Sequence, residues 1–207
     1  MITLTLPDGA TRQFDGPIDG LAFAESISKS LAKKALAWKV DGEVIDLARR
    51  VEVDAEVAVI TAADEDGIDL MRHDCAHVLA EAVQELFPGT QVTIGPVIEK
   101  GFYYDFARET PFSLDDLEAI EKRMKEIVDR DEEIIREEWE REAAVAHFRE
   151  IGEEYKAEII AAIPADQAIT VYRQGAWKDL CRGPHLPSTG KLGKAFKLTK
   201  LAGAYWR

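Results

Sequence analysis

The sequence predicts an α+β fold in two domains, a small one over residues 1–62 and a larger one over residues 63–207. Three observations support this prediction. Short strand patterns separated by turn residues fill the first 62 positions, an amphipathic helix pattern follows, and helix and strand patterns then mix without an internal repeat. With 207 residues the chain is long enough for two hydrophobic cores.

The first domain begins with a predicted hairpin. The alternating stretch ITLTL runs into Pro7-Asp8-Gly9, and a second strand is predicted at Thr11–Phe14. Apolar residues at helical spacing predict a helix over Leu21–Leu31. Three returning strands are predicted at Ala35–Val40, Glu43–Leu47 and Val57–Ile60. Two hairpin strands, a helix and returning strands are typical of a β-grasp-like fold, and Ala62–Gly67 is predicted to be a polar linker.

The larger domain combines helices and strands. An amphipathic helix is predicted over Leu70–Phe87, where a Pro-Gly pair follows the apolar stripe. Ser113 is a favourable N-cap for a second helix that ends near Arg130. A third helical stretch covers Arg141–Ala162, with a break near Gly152. Strands, expected to form a mostly antiparallel sheet, are predicted at Val92–Ile98, Phe102–Phe106, Glu133–Trp139, Ile169–Arg173, Leu192–Leu198 and Ala204–Arg207.

Charge is unevenly distributed along the chain. The net charge is -13, and residues 113–160 hold 17 acidic against 8 basic residues, whereas residues 180–207 hold six Lys or Arg and no acid. This basic segment is able to attract RNA phosphates, or is simply a solvated face. No apolar run approaches the roughly 20 residues that span a bilayer, and no secretory signal pattern opens the chain. Two cysteines cannot form a disulfide framework, so a cytoplasmic location is expected.

Four residues in two equally spaced pairs form the candidate site. His73 and His77 are four apart on a predicted helix, so both imidazoles project from one face. Cys181 and His185 repeat this spacing in a Gly-Pro loop. Spacing leaves open a tetrahedral zinc site, a metal-free pocket that orients water and substrate hydroxyls, and an incidental grouping. A covalent role for Cys181 is disfavoured, because no third group orients the pair and no helix N-terminus is predicted there to activate the thiol.

Five ordered motifs resemble the N-terminal part of threonyl-tRNA synthetases. The stretch MRHDCAHVLA resembles the helix that opens that family's editing domain, and residues 1–62 resemble its preceding TGS domain, a β-grasp module. The other four motifs follow in the family's order at Gly95-Pro96, Gly101–Phe106, Asp179–His185 and Leu201–Arg207. Asp74 departs from the family, which is expected to have a small hydroxyl residue there, and is expected to alter hydrogen bonding beside His73.

The resemblance implies proofreading. The chain stops where the family continues into its class II catalytic domain, so an N-terminal fragment without aminoacylation or anticodon-binding parts is expected. A threonine pocket rejects serine through one missing methyl, worth only about 1–3 kcal/mol. A second site that hydrolyses mischarged seryl-tRNA(Thr) by water attack on the ester would supply the remaining selectivity. The implied partner is the tRNA(Thr) acceptor end with its seryl-adenosine moiety. The full-length enzyme is expected to be a homodimer through the catalytic domain, and the fragment a monomer with no membrane partner.

The family also implies roles for individual residues. His73 would contact the terminal ribose, Lys156 would help to hold the attacking water, and Asp179 would bind the substrate ammonium or hydroxyl. The implied catalytic set is His73, His77, Lys156, Asp179, Cys181 and His185, and substrate contacts are implied for Gly95, Tyr104 and Arg182. No cofactor is expected for editing, and zinc at the His/Cys set is the alternative.

The residues alone favour plainer roles for three of these side chains. Lys156 would be an exposed helix lysine among acids, Asp179 a loop cap, and Tyr104 a core residue of a strand. Two other classes of function stay open besides hydrolysis. One is a non-catalytic RNA-binding module that contacts the acceptor arm or an mRNA leader, and the other is a structural adaptor.

Overall fold

The structure, a computed structural model, describes residues 1–203, which form two compact units. The first unit holds Met1–Met71 and Gly183–Pro187, and the second holds Arg72–Arg182 with the described residues from Ser188 onward. The strand predicted at Ala204–Arg207 lies outside the described residues, and the predicted boundary between residues 62 and 63 stays a prediction. Among residues 1–203, no helix has the length and apolar character needed to cross a bilayer.

The first unit is built on a five-stranded sheet with two short helices. Its elements are β1 (Ile2–Thr5), β2 (Thr11–Phe14), β3 (Ile18–Asp19), α1 (Gly20–Ile27), α2 (Lys29–Lys34), β4 (Ala35–Val40), β5 (Glu43–Asp46), β6 (Arg50–Val51) and β7 (Ala55–Thr61). The strand order is β2-β1-β7-β4-β5, with β1 parallel to β7 and the other neighbours antiparallel. The predicted β-grasp-like fold is confirmed.

Helix α1 packs closely on the sheet because it begins with a glycine. A Cβ on Gly20 would lie 2.7 Å from the Trp38 ring and 2.9 Å from Leu47, so any larger residue would push the helix away. The prediction of one helix over Leu21–Leu31 is wrong. Ser28 adopts an extended conformation with φ of -164°, and its hydroxyl accepts the Leu31 N–H at 3.0 Å, so it ends α1 and caps α2.

The rest of the chain adds four helices and a three-stranded antiparallel sheet. The elements are α3 (Glu65–Leu86), β8 (Gln91–Val92), β9 (Val97–Ile98), β10 (Gly101–Phe102), β11 (Phe106–Ala107), α4 (Leu114–Arg130), β12 (Ile134–Trp139), α5 (Arg141–Glu150), α6 (Glu154–Ala162), β13 (Ile169–Gln174) and β14 (Trp177–Leu180). The sheet order is β12-β13-β14. Helices α5 and α6 pack on it through a buried cluster that includes Phe148, Ile160 and Val171. The predicted α+β class with mostly antiparallel strands is confirmed.

Several element predictions for this part of the chain are wrong. Helix α3 begins inside the predicted linker, because the Asp64 carbonyl accepts the first helical bond from Ile68 at 3.0 Å. The predicted strand Val92–Ile98 is divided into β8 and β9, and β14 was not predicted. Residues 192–198 form no strand, and the Leu198 N–H instead bonds to the Glu121 carboxylate at 3.1 Å.

Residues 194–198 of the basic segment lie against the acidic helix α4. Lys194 forms an ion pair with Asp129 at 2.5 Å, and Lys197 lies 3.5 Å from Glu121. These ion pairs show that the basic segment is not simply a face surrounded by solvent, which was one of the two alternatives left open by the sequence. Part of the positive charge of this segment is neutralised within the chain, so it is less available to RNA phosphates.

A buried acid on α3 makes the stability of the second unit depend on pH. Glu81 is 3% exposed, accepts a hydrogen bond from Gln174 Nε2 at 2.5 Å and lies 3.3 Å from Arg130. Burial raises the pKa of Glu81 from 4.5 to about 7, against the opposing effect of Gln174. The protonated acid is therefore favoured in the folded state. Its stabilising effect is fully present below pH 4.5 and is lost as the pH rises through about 7.

We expect Glu81→Gln to raise the free energy of unfolding at pH 8 by up to about 3 kcal/mol over the parent. The variant should therefore unfold at a higher urea concentration. At pH 5 the two proteins should differ little, because Glu81 is then mostly neutral. Glu85→Gln is the matched control. Hydrogen bonds from Arg130 and then from Arg123 lower the pKa of Glu85, so the Glu85→Gln protein should be less stable than the parent at pH 8. Urea titrations of the three proteins at both pH values would contradict the prediction if Glu81→Gln gave no gain at pH 8.

Candidate active site

Helix α3 brings two histidines beside a cysteine from the end of β14. The His73 and His77 rings lie 4.8 Å apart at 62°. His73 Nε2 lies 3.1 Å from Cys181 Sγ, and the Cys181 N–H donates to the Thr170 carbonyl at 3.1 Å. One ligand atom from each of His73, His77 and Cys181 falls within 4.8 Å of the others. The second unit therefore contains a His/Cys cluster that could bind a metal ion.

Two other predicted residues lie in the loop after β14. His185 belongs to the segment Gly183–Pro187 of the first unit, is buried, and its backbone N–H donates to the Asp46 carboxylate at 2.8 Å. Its role with the other histidines stays a prediction. Arg182 is exposed and donates to Gln167 Oε1 at 3.1 Å, so its predicted substrate contact also stays a prediction.

Lys156 is buried in an ion cluster and is not the exposed helix lysine that its acidic neighbours favour. It is 2% exposed, and its Nζ lies 2.6 Å from Asp179 Oδ1. The same Nζ donates to the Thr93 carbonyl at 2.8 Å and to the Tyr104 hydroxyl at 3.2 Å. Two of these contacts are hydrogen bonds, and the contact with Asp179 is an ion pair. Lys156 is therefore held in one position.

Asp179 joins this ion cluster to the histidines. It is 1% exposed and lies on β14, opposite Tyr172 of β13, so its predicted role as a loop cap is wrong. Its Oδ2 accepts from the Tyr104 hydroxyl at 2.7 Å and lies 3.4 Å from His77 Nδ1. A carboxylate that faces one ring nitrogen fixes the orientation of a histidine. Lys156 compensates the buried negative charge of Asp179, which would otherwise be strongly unfavourable.

Tyr104 serves both as a packing residue and as a hydrogen-bonding residue. Its ring stacks on Phe106 at 5.2 Å between centroids, and lies edge-on to His77 at 6.4 Å. Burial, and then the charge of Asp179, raise the pKa of its hydroxyl well above the ordinary value. The hydroxyl therefore stays protonated and donates to Asp179. The sequence alone favoured core packing, and the family resemblance left packing and a substrate contact balanced. The packing is observed, and the substrate contact stays a prediction.

An irregular pairing exposes the carbonyl that receives Lys156. The Asp105 carbonyl accepts from the Thr93 N–H at 3.1 Å, but the Asp105 N–H donates to the Ile94 carbonyl at 2.9 Å. Two residues of one strand thus oppose one residue of the other, which is the arrangement of a β-bulge. The Thr93 carbonyl is left out of the strand pairing and accepts Lys156 instead.

Gly95 sits directly against the Tyr104 ring. A Cβ built on Gly95 would overlap the ring atoms of Tyr104. The glycine predicted to contact substrate therefore has a packing role here, because it gives the ring room to reach Asp179. Whether it also contacts substrate stays a prediction.

The second cysteine is not part of this site. Cys75 is buried on α3, and burial followed by the charge of Asp74 raises its pKa to about 12. A thiol that stays protonated is a poor nucleophile. Asp74 itself is 1% exposed on the same helix.

An open groove of about 1220 Å³ lies next to the ion cluster but is a separate feature. Thr93, Ile94, Tyr103 and Tyr155 are among its lining residues, whereas His73, His77, Lys156 and Asp179 are not. Only Thr93 belongs to both the groove and the cluster.

Sequence reasoning missed three residues that support the cluster. Thr93 acts through its backbone carbonyl, so its residue type gives no sign of this role. Glu153 binds the Val92 N–H, and Trp177 contacts Gln84 and the His77 ring. Each of these contacts joins distant parts of the chain. The one usable signal was a tryptophan in a short polar stretch near Asp179.

Known families match both parts of the chain. Residues 2–61 match the TGS domain, and residues 169–204 match the threonyl and alanyl tRNA synthetase second additional domain. The whole chain is 70% identical to a threonine–tRNA ligase of Parvibaculum lavamentivorans, 67% to that of Phenylobacterium zucineum and 61% to that of Rhodospirillum rubrum. The chain is similar over its whole length to the N-terminal region of threonine–tRNA ligases. It spans about a third of their length, 32% in each of these three.

The two matches divide the structural elements between them. The TGS match covers β1 to β7 of the first unit. The second additional domain match includes Asp179 and Cys181, whereas His73, His77, Tyr104 and Lys156 precede it in the chain. The geometry of the site thus adds four residues that this family match does not reach.

Proposed function

We propose that the chain is a proofreading hydrolase that removes serine from mischarged seryl-tRNA(Thr). The supporting observation is the buried Lys156–Asp179–Tyr104 cluster, held against His77. Asp179 lies in the segment that matches the threonyl and alanyl tRNA synthetase second additional domain. Buried clusters of ionisable side chains are found at catalytic sites. The reaction is the cleavage of an aminoacyl ester by water, and no covalent intermediate is needed because that ester is already activated.

The proposed mechanism uses the fixed charges of the cluster. The oxygen of a water molecule adds to the ester carbonyl carbon, and the ribose hydroxyl leaves with a proton. His73 contacts the ribose end, and His77, oriented by Asp179 at 3.4 Å, is placed to pass the proton. Lys156 orients the water and supplies positive charge for the developing oxyanion. Cys181 shapes the pocket, and Arg182 contacts the RNA backbone.

The wider setting follows from the relatives. We place the reaction in the cytoplasm, with the acceptor end of tRNA(Thr) and its seryl-adenosine as partner. In a full-length ligase the domain would act beside a dimeric catalytic domain, and the 207-residue chain alone would be a monomer. A non-catalytic RNA-binding module is the alternative, but the pairing of Lys194 and Lys197 with acids of α4 weakens it.

The test is a deacylation assay with the 207-residue chain. We expect seryl-tRNA(Thr) to be hydrolysed and threonyl-tRNA(Thr) to be spared. His73→Ala should lower the rate on the order of 100-fold while tRNA binding, measured by filter retention, is kept. His147→Ala is the matched control, because His147 packs on Trp139 away from the cluster. An RNA-binding module would instead bind both tRNAs and hydrolyse neither.

The His/Cys cluster also permits a test for zinc. Two nitrogen donors and one sulfur donor suit zinc, which would act as a Lewis acid when bound. Tetrahedral zinc ligands of this kind lie roughly 3.5 Å apart, whereas His73 Nε2 and Cys181 Sγ are 3.1 Å apart. This spacing fits a hydrogen bond and would have to widen for His73, His77 and Cys181 to hold the ion.

We expect hydrolysis to survive removal of metal. The measurement compares the seryl-tRNA rate before and after dialysis against a chelator, with total metal determined by mass spectrometry. The rate should change less than about 2-fold, because the proposed water is oriented by protein groups. Loss of the rate, with recovery on adding zinc, would overturn the metal-free mechanism.

A further inference from the structure

Glu153 is a buried carboxylate outside the residues assigned so far. It is 4% exposed and immediately precedes α6, the helix that carries Lys156. Its carbonyl accepts the first helical bond from Ala157 at 3.0 Å, and its N–H donates to the Phe148 carbonyl at 2.7 Å. Its backbone is thus fixed at both ends of the turn between α5 and α6.

The carboxylate of Glu153 links two other segments of the site. Oε2 accepts the Val92 N–H at 2.9 Å, and Oε1 accepts from Gln84 Nε2. Val92 precedes Thr93, whose carbonyl binds Lys156. Gln84 lies on α3, seven residues after His77. One side chain therefore ties together the helix of the histidines, the strand that receives Lys156 and the helix that carries Lys156.

Trp177 fixes the direction of the Gln84 amide. The indole N–H is only a donor, and it lies 2.7 Å from Gln84 Oε1, so Gln84 Nε2 must point the other way. There it meets two acceptors, the Thr90 carbonyl at 2.9 Å and Glu153. The Trp177 ring also lies edge-on to His77 at 5.9 Å. The chain of contacts runs from the His77 ring to the segment beside Lys156 without a gap.

Burial of Glu153 is unfavourable by itself. Desolvation raises its pKa, although the hydrogen bonds from Val92 and Gln84 oppose the shift, and Asp179 adds repulsion. Burying an acid costs free energy that its hydrogen bonds must offset, so a buried carboxylate at this position indicates a constraint other than stability. The constraint visible here is the position of Lys156 relative to Thr93.

We propose that Glu153 is a positioning residue for the hydrolysis, which holds Lys156 on the Thr93 carbonyl in register with His77 through Gln84 and Val92. The inference rests on the proposed function, because it assigns Glu153 to that same reaction. Glu153 acts through Lys156 and does not contact the reacting atoms.

The test replaces Glu153 by Gln. The Val92 N–H and Gln84 Nε2 meet different oxygens of Glu153, and a glutamine replaces one of these oxygens by an NH2 group that only donates, so one of the two donors loses its acceptor. We expect kcat for seryl-tRNA to fall on the order of 100-fold, with KM changed less than about 3-fold, in protein that is fully folded by circular dichroism. Glu154→Gln is the matched control, since that neighbour pairs only at the surface with Arg149 at 3.2 Å, and it should keep the parent kcat.

Acylation of lysines separates this inference from the proposed function. Competitive labelling with acetic anhydride, read by mass spectrometry, gives the rate of Lys156 against the exposed Lys197 in the same sample. Lys156 should label several-fold faster in Glu153→Gln than in the parent, and at the parent rate in Glu154→Gln. Equal Lys156 labelling in all three proteins would overturn the positioning role, whatever the hydrolysis assay shows.

Two further variants keep the test decisive. If Glu153→Gln does not fold, Trp177→Phe removes the donor that orients Gln84 and should raise Lys156 labelling by itself, and no rise would overturn the inference. The exchanged pair Gln84→Glu with Glu153→Gln restores one carboxylate and one amide to the same gap. It should recover part of the lost kcat. A parent chain that fails to hydrolyse seryl-tRNA would refute the proposed function, while the labelling rates would still decide the positioning of Lys156.

Discussion

Lys156→Met is expected to destabilise the second unit by about 3–5 kcal/mol and to abolish measurable ester hydrolysis. The substitution keeps the methylene stem but leaves the Asp179 carboxylate, 1% exposed, without its cation at 2.6 Å. A buried, uncompensated charge is among the few single changes that reach this size. Urea unfolding and the seryl-tRNA assay measure the two effects.

The double variant Lys156→Met with Asp179→Asn distinguishes structural from chemical roles. It removes both charges, and the Asn carbonyl can still accept the Tyr104 hydroxyl. We expect most of the lost stability to return without the activity. Lys197→Met, at a side chain that is 76% exposed and 3.5 Å from Glu121, should change stability by less than about 0.5 kcal/mol. Recovery of hydrolysis in the double variant would contradict a role for this pair in the chemistry.

Gly95→Ala is expected to lower hydrolysis on the order of 100-fold and to destabilise by about 1–3 kcal/mol. The added methyl would overlap the Tyr104 ring, which must move away. The ring cannot move without lengthening the 2.7 Å bond from its hydroxyl to Asp179. The seryl-tRNA assay and urea unfolding measure both consequences.

Gly101→Ala is the matched control in the same hairpin. A Cβ on Gly101 has no atom within 4 Å, so the substitution should leave hydrolysis unchanged. If Gly95→Ala were as active as Gly101→Ala, the position of the Tyr104 ring would not matter for the reaction. That outcome would remove Tyr104 from the mechanism.

Local signals in the sequence predicted the elements whose ends are determined locally. Helix α4 is an example, since Ser113 precedes it and the Asp116 carboxylate accepts the Ser113 N–H at 2.7 Å. The break between α5 and α6 was predicted as well, because Gly152 adopts a positive φ of 82° that few other residues tolerate. In both cases the deciding contacts lie within a few residues.

The errors arise where distant residues decide the structure. Alternating apolar and basic residues at 192–198 predicted a strand, but Lys197 and Leu198 bind Glu121, more than 70 residues away. Lys156 was expected to be exposed because Glu153, Glu154 and Glu158 surround it in sequence. Asp179, which buries it, comes from a strand that the sequence did not predict. Only the family resemblance pointed to both residues.

The irregular pairing at Thr93 limits which changes of chain length are tolerated near this residue. Deleting one residue between Val92 and Pro96 would let the two strands pair one to one, and the hairpin would gain a regular hydrogen bond. The same deletion would turn the Thr93 carbonyl back into that pairing and take it away from Lys156. The Thr93 carbonyl therefore cannot both complete a regular strand pairing and accept the hydrogen bond from Lys156. Selection for the reaction would preserve a local defect that selection for stability alone would remove.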